Sequence, residues 1–166
     1  MQSSRTYQVG ASTLSLVFGD ITSSDADVLV SSDDSYLTMG GGVSAAIRRA
    51  AGESLLLEVA KKVPATLGEV VVTGAGSLKA KHIFHAITIG SGNPSAGDIV
   101  NGATRHAIAL LRALGLSSIA FPAIGAGVAG IPYEEVAINM AATLVDELSQ
   151  LSAPLSVTIY LFDRYG

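Results

Sequence analysis

The sequence predicts an α/β fold, a sheet covered by helices on both faces. Three observations carry this. The strand-like runs are nearly all apolar instead of alternating, as expected of strands buried on both sides. They alternate along the chain with segments of helical periodicity. Glycine clusters stand where a strand-like run gives way to a helical one. The chain has 166 residues, of which 49% are hydrophobic and 14% charged, with 18 glycines and no cysteine or tryptophan. That length fits one domain over residues 1–166, able to bury a core without disulfides or metals. Residues 1–10 are expected to be a peripheral strand or a tail.

Taken in order, Thr13–Phe18 and Val28–Ser32 are apolar runs separated by the turn-rich Asp20–Asp27. Gly40-Gly41-Gly42 opens an Ala-rich helix, Val43–Ala51, closed by Gly52; glycine is the usual residue just past a helix end. A second helix is expected over Ser54–Lys62, stopping before Pro64, because the residue before a proline avoids helical backbone. Glu69–Thr73 and His82–Ile89 are rich in β-branched residues and predict strands. Ser95–Leu114 places Ile99, Val100, Ala103, Ala107, Ile108, Leu111 and Leu114 at helical spacing, with Gly115 as the stop. Ser118–Phe121 predicts a short buried strand. Pro132 suits the first turn of a helix whose apolar stripe is Val136, Met140, Leu144, Val145 and Leu148. Leu155–Phe162 is the last expected strand.

Composition excludes several functions. Without cysteine there are no disulfides, thiolate metal sites or Cys nucleophiles. The charged fraction is below the about 25% of an average soluble protein, and the mean hydropathy is +0.48. Yet no run approaches the roughly 20 apolar residues of a membrane span, and the N-terminus MQSSRTYQVG lacks the apolar stretch of a signal peptide. No membrane association and a cytoplasmic location are therefore expected. A net charge of −4 argues against broad nucleic-acid capture. Arg48-Arg49, Lys61-Lys62 and Lys79/Lys81 read as solvated faces. His82, His85 and His106 give no metal-ligand spacing, and no metal or cofactor is expected.

The chemistry is expected in two glycine-rich loops, Met39–Ile47 and Phe121–Pro132. Without a Cβ, backbone amides can approach a ligand closely, and a helix N-terminus favours an anion. Two such loops at the carboxyl ends of strands can clamp a diphosphate from opposite sides. Each loop taken alone reads equally well as a tight strand-to-helix turn. Neither is a Walker A motif. Gly125, Gly127 and Gly130 give GxGxxG, but no acidic residue follows at a strand end about 20 residues on, since Glu147 falls on a predicted helix. Dehydrogenase chemistry of the usual dinucleotide-binding type is therefore disfavoured.

Five segments, FGDIT (Phe18–Thr22), DADVLV (Asp25–Val30), GGGVSAAIRRAAG (Gly40–Gly52), GEVVVTGAGSLKAKHIFHA (Gly68–Ala86) and FPAIGAGVAGIP (Phe121–Pro132), resemble the macro domain family in order and spacing. The resemblance runs from about Leu14 to Phe162. It implies a three-layer α/β/α sandwich with a mixed, mostly parallel sheet and a cleft for ADP-ribose or a related NAD-derived nucleotide, free or attached to a protein. By motif position, Asp20 would accept a hydrogen bond from the adenine amino group and Ile21 would wall the adenine. Gly41, Gly42 and Val43 would approach the diphosphate, and their neighbours Gly40 and Ser44 count with them as ligand-binding. Ile124, Gly125, Ala126, Gly127 and Val128 would wrap its other side with backbone amides. Phe162 resembles the aromatic beside the adenine. Asp20 reads alternatively as a turn residue and Phe162 as a core residue.

The sequence also departs from the family pattern. Where hydrolytic members commonly carry Asn-Ala-Ala-Asn, this chain has Ser31-Ser32-Asp33-Asp34, and Ser44 replaces the Asp that follows Gly-Gly-Gly-Val. The paired glutamates of the glycohydrolase type are absent, and lack of cysteine excludes the zinc-dependent subclass. Asp34 falls at the distal-ribose position. A ligand-binding module is the leading reading. The alternative is an atypical ADP-ribosyl hydrolase using Asp34 as its catalytic residue; an RNA or poly(A)-binding module ranks third. Asp33 is read as half of a solvated acidic pair or as part of that site, and His85 as a buried structural histidine. The end of the chain directly after the last strand is compatible with a longer parent protein.

Overall fold

The computed structural model describes residues 3–89, 96–124 and 133–161. Its centre is a seven-stranded sheet formed by β1 (Ser3–Val9), β2 (Ser12–Phe18), β3 (Val28–Asp34), β4 (Val70–Gly74), β5 (His82–Ile89), β6 (Ser118–Phe121) and β7 (Ser156–Leu161). The order across the sheet is β1-β2-β7-β6-β3-β5-β4. Five neighbouring strands, β2 through β5 in that order, run parallel, while β1 and β4 close the two edges antiparallel. The sheet is thus mixed and mostly parallel.

Alternation along the strands divides the core in two. Val28 and Val30 of β3, Phe84 and Ala86 of β5, and Ile119 and Phe121 of β6 face one layer. There they meet α3 (Ala96–Ala113) and α4 (Tyr133–Ser149) through Val100, Ala107, Leu111, Val136, Met140 and Leu144. Leu29, Ile83, Ile87, Val71 and Ala120 face the other layer. That side is covered by α1 (Gly42–Ala51), α2 (Glu53–Val59) and a short 3-10 helix, Ile21–Ser23, through Ile47, Ala51, Leu55, Val59 and Ile21. The result is a three-layer α/β/α sandwich. Each fully buried Leu, Ile or Phe contributes about 1.5–3 kcal/mol relative to exposure, so both layers are needed to hold the sheet.

The sequence reading locates the strands closely, because β-branched runs buried on both faces leave little choice of register. It errs where a helix stripe outruns its cover. Leu114 is 46% exposed and Val145 47% exposed; the first lies past the end of α3, the second on the outer face of α4. The second helix ends at Val59, short of Lys62, because Lys61 and Lys62 turn back through bonds to the Glu58 and Val59 carbonyls. The third strand runs two residues further than expected, through Asp33 and Asp34. Ser95, Pro132 and Phe162 lie outside the described residues.

Candidate functional site

Because β2, β7, β6 and β3 are contiguous and parallel, their carboxyl ends meet at one end of the sheet. Asp20 and Ile21 follow β2, Asp34 closes β3, and Ile124 follows β6. The topology therefore brings together segments spread over a hundred residues of sequence, where ligands of open α/β sheets bind.

Asp20 is the N-cap of the 3-10 helix. Its Oδ1 accepts from the Thr22 amide at 2.9 Å and from the Thr22 hydroxyl at 2.7 Å. Both bonds fall on one oxygen of an exposed carboxylate, so the cap and a ligand need not compete for the same atom. Ile21 is buried, packed in one cluster with Leu37, Met39 and Ile47, and the 3-10 helix lies against α1.

The segment from Asp34 to Ser44 is wound by its own side chains. The Asp34 carboxylate turns back onto the chain: Oδ1 accepts from the Tyr36 amide at 2.8 Å and the Thr38 amide at 3.4 Å, and Oδ2 accepts from the Thr38 hydroxyl. Burial raises its pKa, but the Thr38 hydroxyl and the amides of Tyr36, Thr38 and Leu37 outweigh it, leaving it below the usual 3.8. Leu37 and Met39 hold φ of 52° and 50°, which side chains rarely adopt. Such backbone costs on the order of 1–3 kcal/mol per residue. Burying each of these large apolar side chains returns about as much, and both are nearly inaccessible. Burial therefore fixes the loop's path.

The glycines beyond are open. Gly41 is the N-cap of α1 in extended conformation, with no side-chain cap, and Gly42 has φ of 56°. A Cβ built on either would meet nothing within 4 Å. The Ser44 side chain turns inward, its hydroxyl donating to the Gly41 carbonyl at 2.9 Å. After β6, Ile124 has its side chain fully buried in the α3–α4 layer. Gly125, Ala126, Gly127, Val128 and Phe162 lie outside the described residues.

Asp33 does not belong to a solvated pair. It is 3% exposed, because strand alternation turns it to the side opposite its neighbours, under α1 and α2. Its Oδ2 lies 2.8 Å from Nδ1 of the fully buried His85, and its Oδ1 accepts from the Ser31 hydroxyl at 3.1 Å. Facing a carboxylate, Nδ1 is the ring nitrogen suited to donate. The other ring nitrogen, Nε2, meets the Thr73 hydroxyl at 2.8 Å, which also lies 2.9 Å from the Gly74 carbonyl. This chain of polar groups crosses β3, β5 and β4. Thr73 is 1% exposed, so the arrangement resembles a nucleophile–base–acid triad without access to a substrate.

Sequence reasoning missed Thr38, which ties down Asp34, and Arg48, whose Nη1 donates to the Thr38 carbonyl at 3.4 Å. An Asp followed two and four residues later by hydrogen-bonding groups is a known turn pattern, and that spacing was the available signal. Among the described residues no cluster of three or more His, Cys, Asp or Glu is placed to hold a metal, and no helix is long and apolar enough to cross a membrane.

Residues 30–140 match the family model described as "Macro domain". The chain is 36% identical over 160 residues to a protein of Pyrobaculum aerophilum, covering 94% of this chain and 87% of that one. It spans only 33% of some longer relatives. Among solved structures, the Oceanobacillus iheyensis macrodomain with ADP aligns with a TM-score of 0.90 at 30% identity, covering 99% of this chain and 91% of that one. The Trypanosoma brucei macrodomain in complex with ADP-ribose aligns at 0.82 and 27% identity, covering 92% and 65%. With a family match across most of its length, and a fold shared almost end to end, this chain belongs to the macro domain family.

Proposed function

We propose that the chain binds ADP-ribose or a related NAD-derived nucleotide, free or attached to a protein, at the carboxyl ends of β2, β6 and β3. The observation that carries this is the near-complete alignment with macrodomains described with ADP and with ADP-ribose. The residues at this end of the sheet suit the parts of such a ligand. Asp20 offers Oδ2 to the adenine amino group; guanine presents an acceptor at that edge and would be refused. The open backbone at Gly41 and Gly42 and the first turn of α1 suit the diphosphate. The loop from Ile124 to Val128 would close its other side, and Phe162 would lie against the adenine.

Binding is favoured over hydrolysis by the state of Asp34. A general base works best with a pKa near the operating pH. Asp34 has its pKa lowered, and both its oxygens are engaged within its own turn. Calorimetric titration with ADP-ribose, AMP, NAD and cyclic ADP-ribose tests the reading. ADP-ribose should bind most tightly, and failure of all four to bind at about millimolar concentration overturns it. In parallel, proteins ADP-ribosylated through Glu, Asp, Ser or Arg should be retained without release of ADP-ribose. Turnover lost in Asp34→Ala would restore the hydrolase reading.

A further inference from the structure

We propose that Asp33 and His85 are positioning residues for the ligand loop, resting for the ligand itself on the reading above. Three features place them in this role. The pairing of β3 with β5 is in register from Val28↔His82 to Asp33↔Ile87, then jumps to Asp34↔Ile89, leaving Thr88 as an extra residue on β5. Such bulges re-aim a strand end, and the ladder alone does not fix their geometry. Asp33 is the last residue before the jump, and its carboxylate is held from two directions by Ser31 and His85. The next residue, Asp34, starts the turn that leads through the buried Leu37 and Met39 to the open Gly41 and Gly42.

The buried pair thus fixes β3 at the bulge, beside the 2.9 Å bond between the Ser32 and Thr88 hydroxyls and just before the last backbone bond to β5, from the Ser35 amide to the Ile89 carbonyl at 3.0 Å, and so the direction from which the loop begins. A buried carboxylate that loses a partner is strongly driven to find another or to reach water. His85 itself cannot touch a ligand, being fully buried; its effect on binding passes through Asp33.

Two substitutions of the same ring separate positioning from simple filling of space. His85→Asn keeps an N–H near the place of Nδ1, facing Asp33, and gives up the Thr73 side. His85→Gln extends toward the place of Nε2, facing Thr73, and leaves Asp33 without its ring donor. His85→Asn removes more bulk than His85→Gln, so loss of packing alone would make His85→Asn the more disruptive of the two, the reverse of the order expected from positioning. The first readout is the amide NMR spectrum without ligand. His85→Gln should shift the Asp34–Gly42 amides, and His85→Asn should leave them near wild type. The second is calorimetry with ADP-ribose, which should be roughly tenfold weaker for His85→Gln and nearly unchanged for His85→Asn.

Equal effects of the two variants on the loop amides, or no effect of either, would overturn the proposal. If His85→Gln does not fold, Ser31→Ala replaces it, removing the other donor to Asp33; its loop amides should shift, and unshifted amides would count against the proposal. Wild-type protein that fails to bind ADP-ribose would refute the ligand assignment alone, since the amide spectra report on positioning without any ligand.

Discussion

Asp33 and Asp34 are consecutive acidic residues at the end of β3, and their carboxylates serve different structures: Asp33 lies 2.8 Å from the buried His85 ring, while Asp34 accepts from the Tyr36 amide at 2.8 Å. One holds the strand to its neighbours across the sheet. The other starts the loop that leaves it. Two like charges side by side would repel strongly in a common low-dielectric site. Separating them between the covered side of the sheet and the loop, each with its own donors, removes that conflict.

The Asp34 turn makes a prediction about acid. Its carboxyl pKa is lowered in the folded protein, where the hydrogen bonds from Thr38, Tyr36 and Leu37 outweigh burial. A group with a depressed folded pKa stabilises the protein fully above its unfolded pKa of about 3.9, and that contribution disappears as pH falls through the folded value. The stability gap between wild type and Asp34→Asn should therefore be constant above about pH 5 and shrink below about pH 4. Thermal melts across that range check it; a gap that persists undiminished in acid would show that the turn does not depend on the charge.

Asp20 should separate stability from binding. Asp20→Ala removes the cap on the Thr22 amide and should cost about 1 kcal/mol. Asp20→Asn keeps an acceptor for Thr22 and should melt within about 0.5 kcal/mol of wild type. With its oxygen committed to the cap, however, the Asn presents an NH2 group to the adenine amino group, donor against donor. Both variants should bind ADP-ribose at least about tenfold more weakly. Unimpaired binding by Asp20→Asn would remove Asp20 from the adenine site.

How much of this was legible in the sequence depends on where the information sits. β5 and β6 are found at their true limits, since continuous β-branched and apolar runs specify strands by themselves. Gly52 and Gly115 mark helix ends, and both hold positive φ. The burial of Asp33 was hidden. Its strand ends in the polar run Ser31-Ser32-Asp33-Asp34, where alternation leaves no apolar trace, and its partner His85 lies 52 residues away. The left-handed backbone at Leu37 and Met39 was hidden for a different reason. Glycine advertises such a conformation, whereas leucine and methionine adopt it only when burial compensates, and that is a property of the folded core.

Gly76 makes a stability prediction remote from the ligand. It holds φ of 56°, and a Cβ there would lie 2.1 Å from the Ala51 carbonyl oxygen, backbone at the end of α1. The same carbonyl accepts from the Ser77 amide at 2.9 Å. Because the obstacle is backbone, no side chain can swing aside. Gly76→Ala should destabilise by about 2–4 kcal/mol, measured by urea unfolding. At Gly68, where φ is 90° but an added Cβ would meet nothing within 4 Å, Ala should cost only the backbone strain, about 1–2 kcal/mol.

Gly41 gives the sharpest test of where the diphosphate lies. Its extended backbone suits any residue, and a Cβ added there would have open space for 4 Å around it. It is also the N-cap of α1 and lacks a side-chain cap, and serine is a better N-cap than glycine by a few tenths of a kcal/mol. Gly41→Ser should therefore equal or slightly exceed wild type in stability. If the diphosphate packs against this backbone, the added side chain occupies its space, and affinity for ADP-ribose should fall by at least about tenfold. At Gly42, where φ is 56°, alanine should lower both stability, by about 1–2 kcal/mol, and binding. A more stable protein that binds less well is an outcome that general damage to the fold cannot produce. Full affinity in Gly41→Ser would place the diphosphate elsewhere.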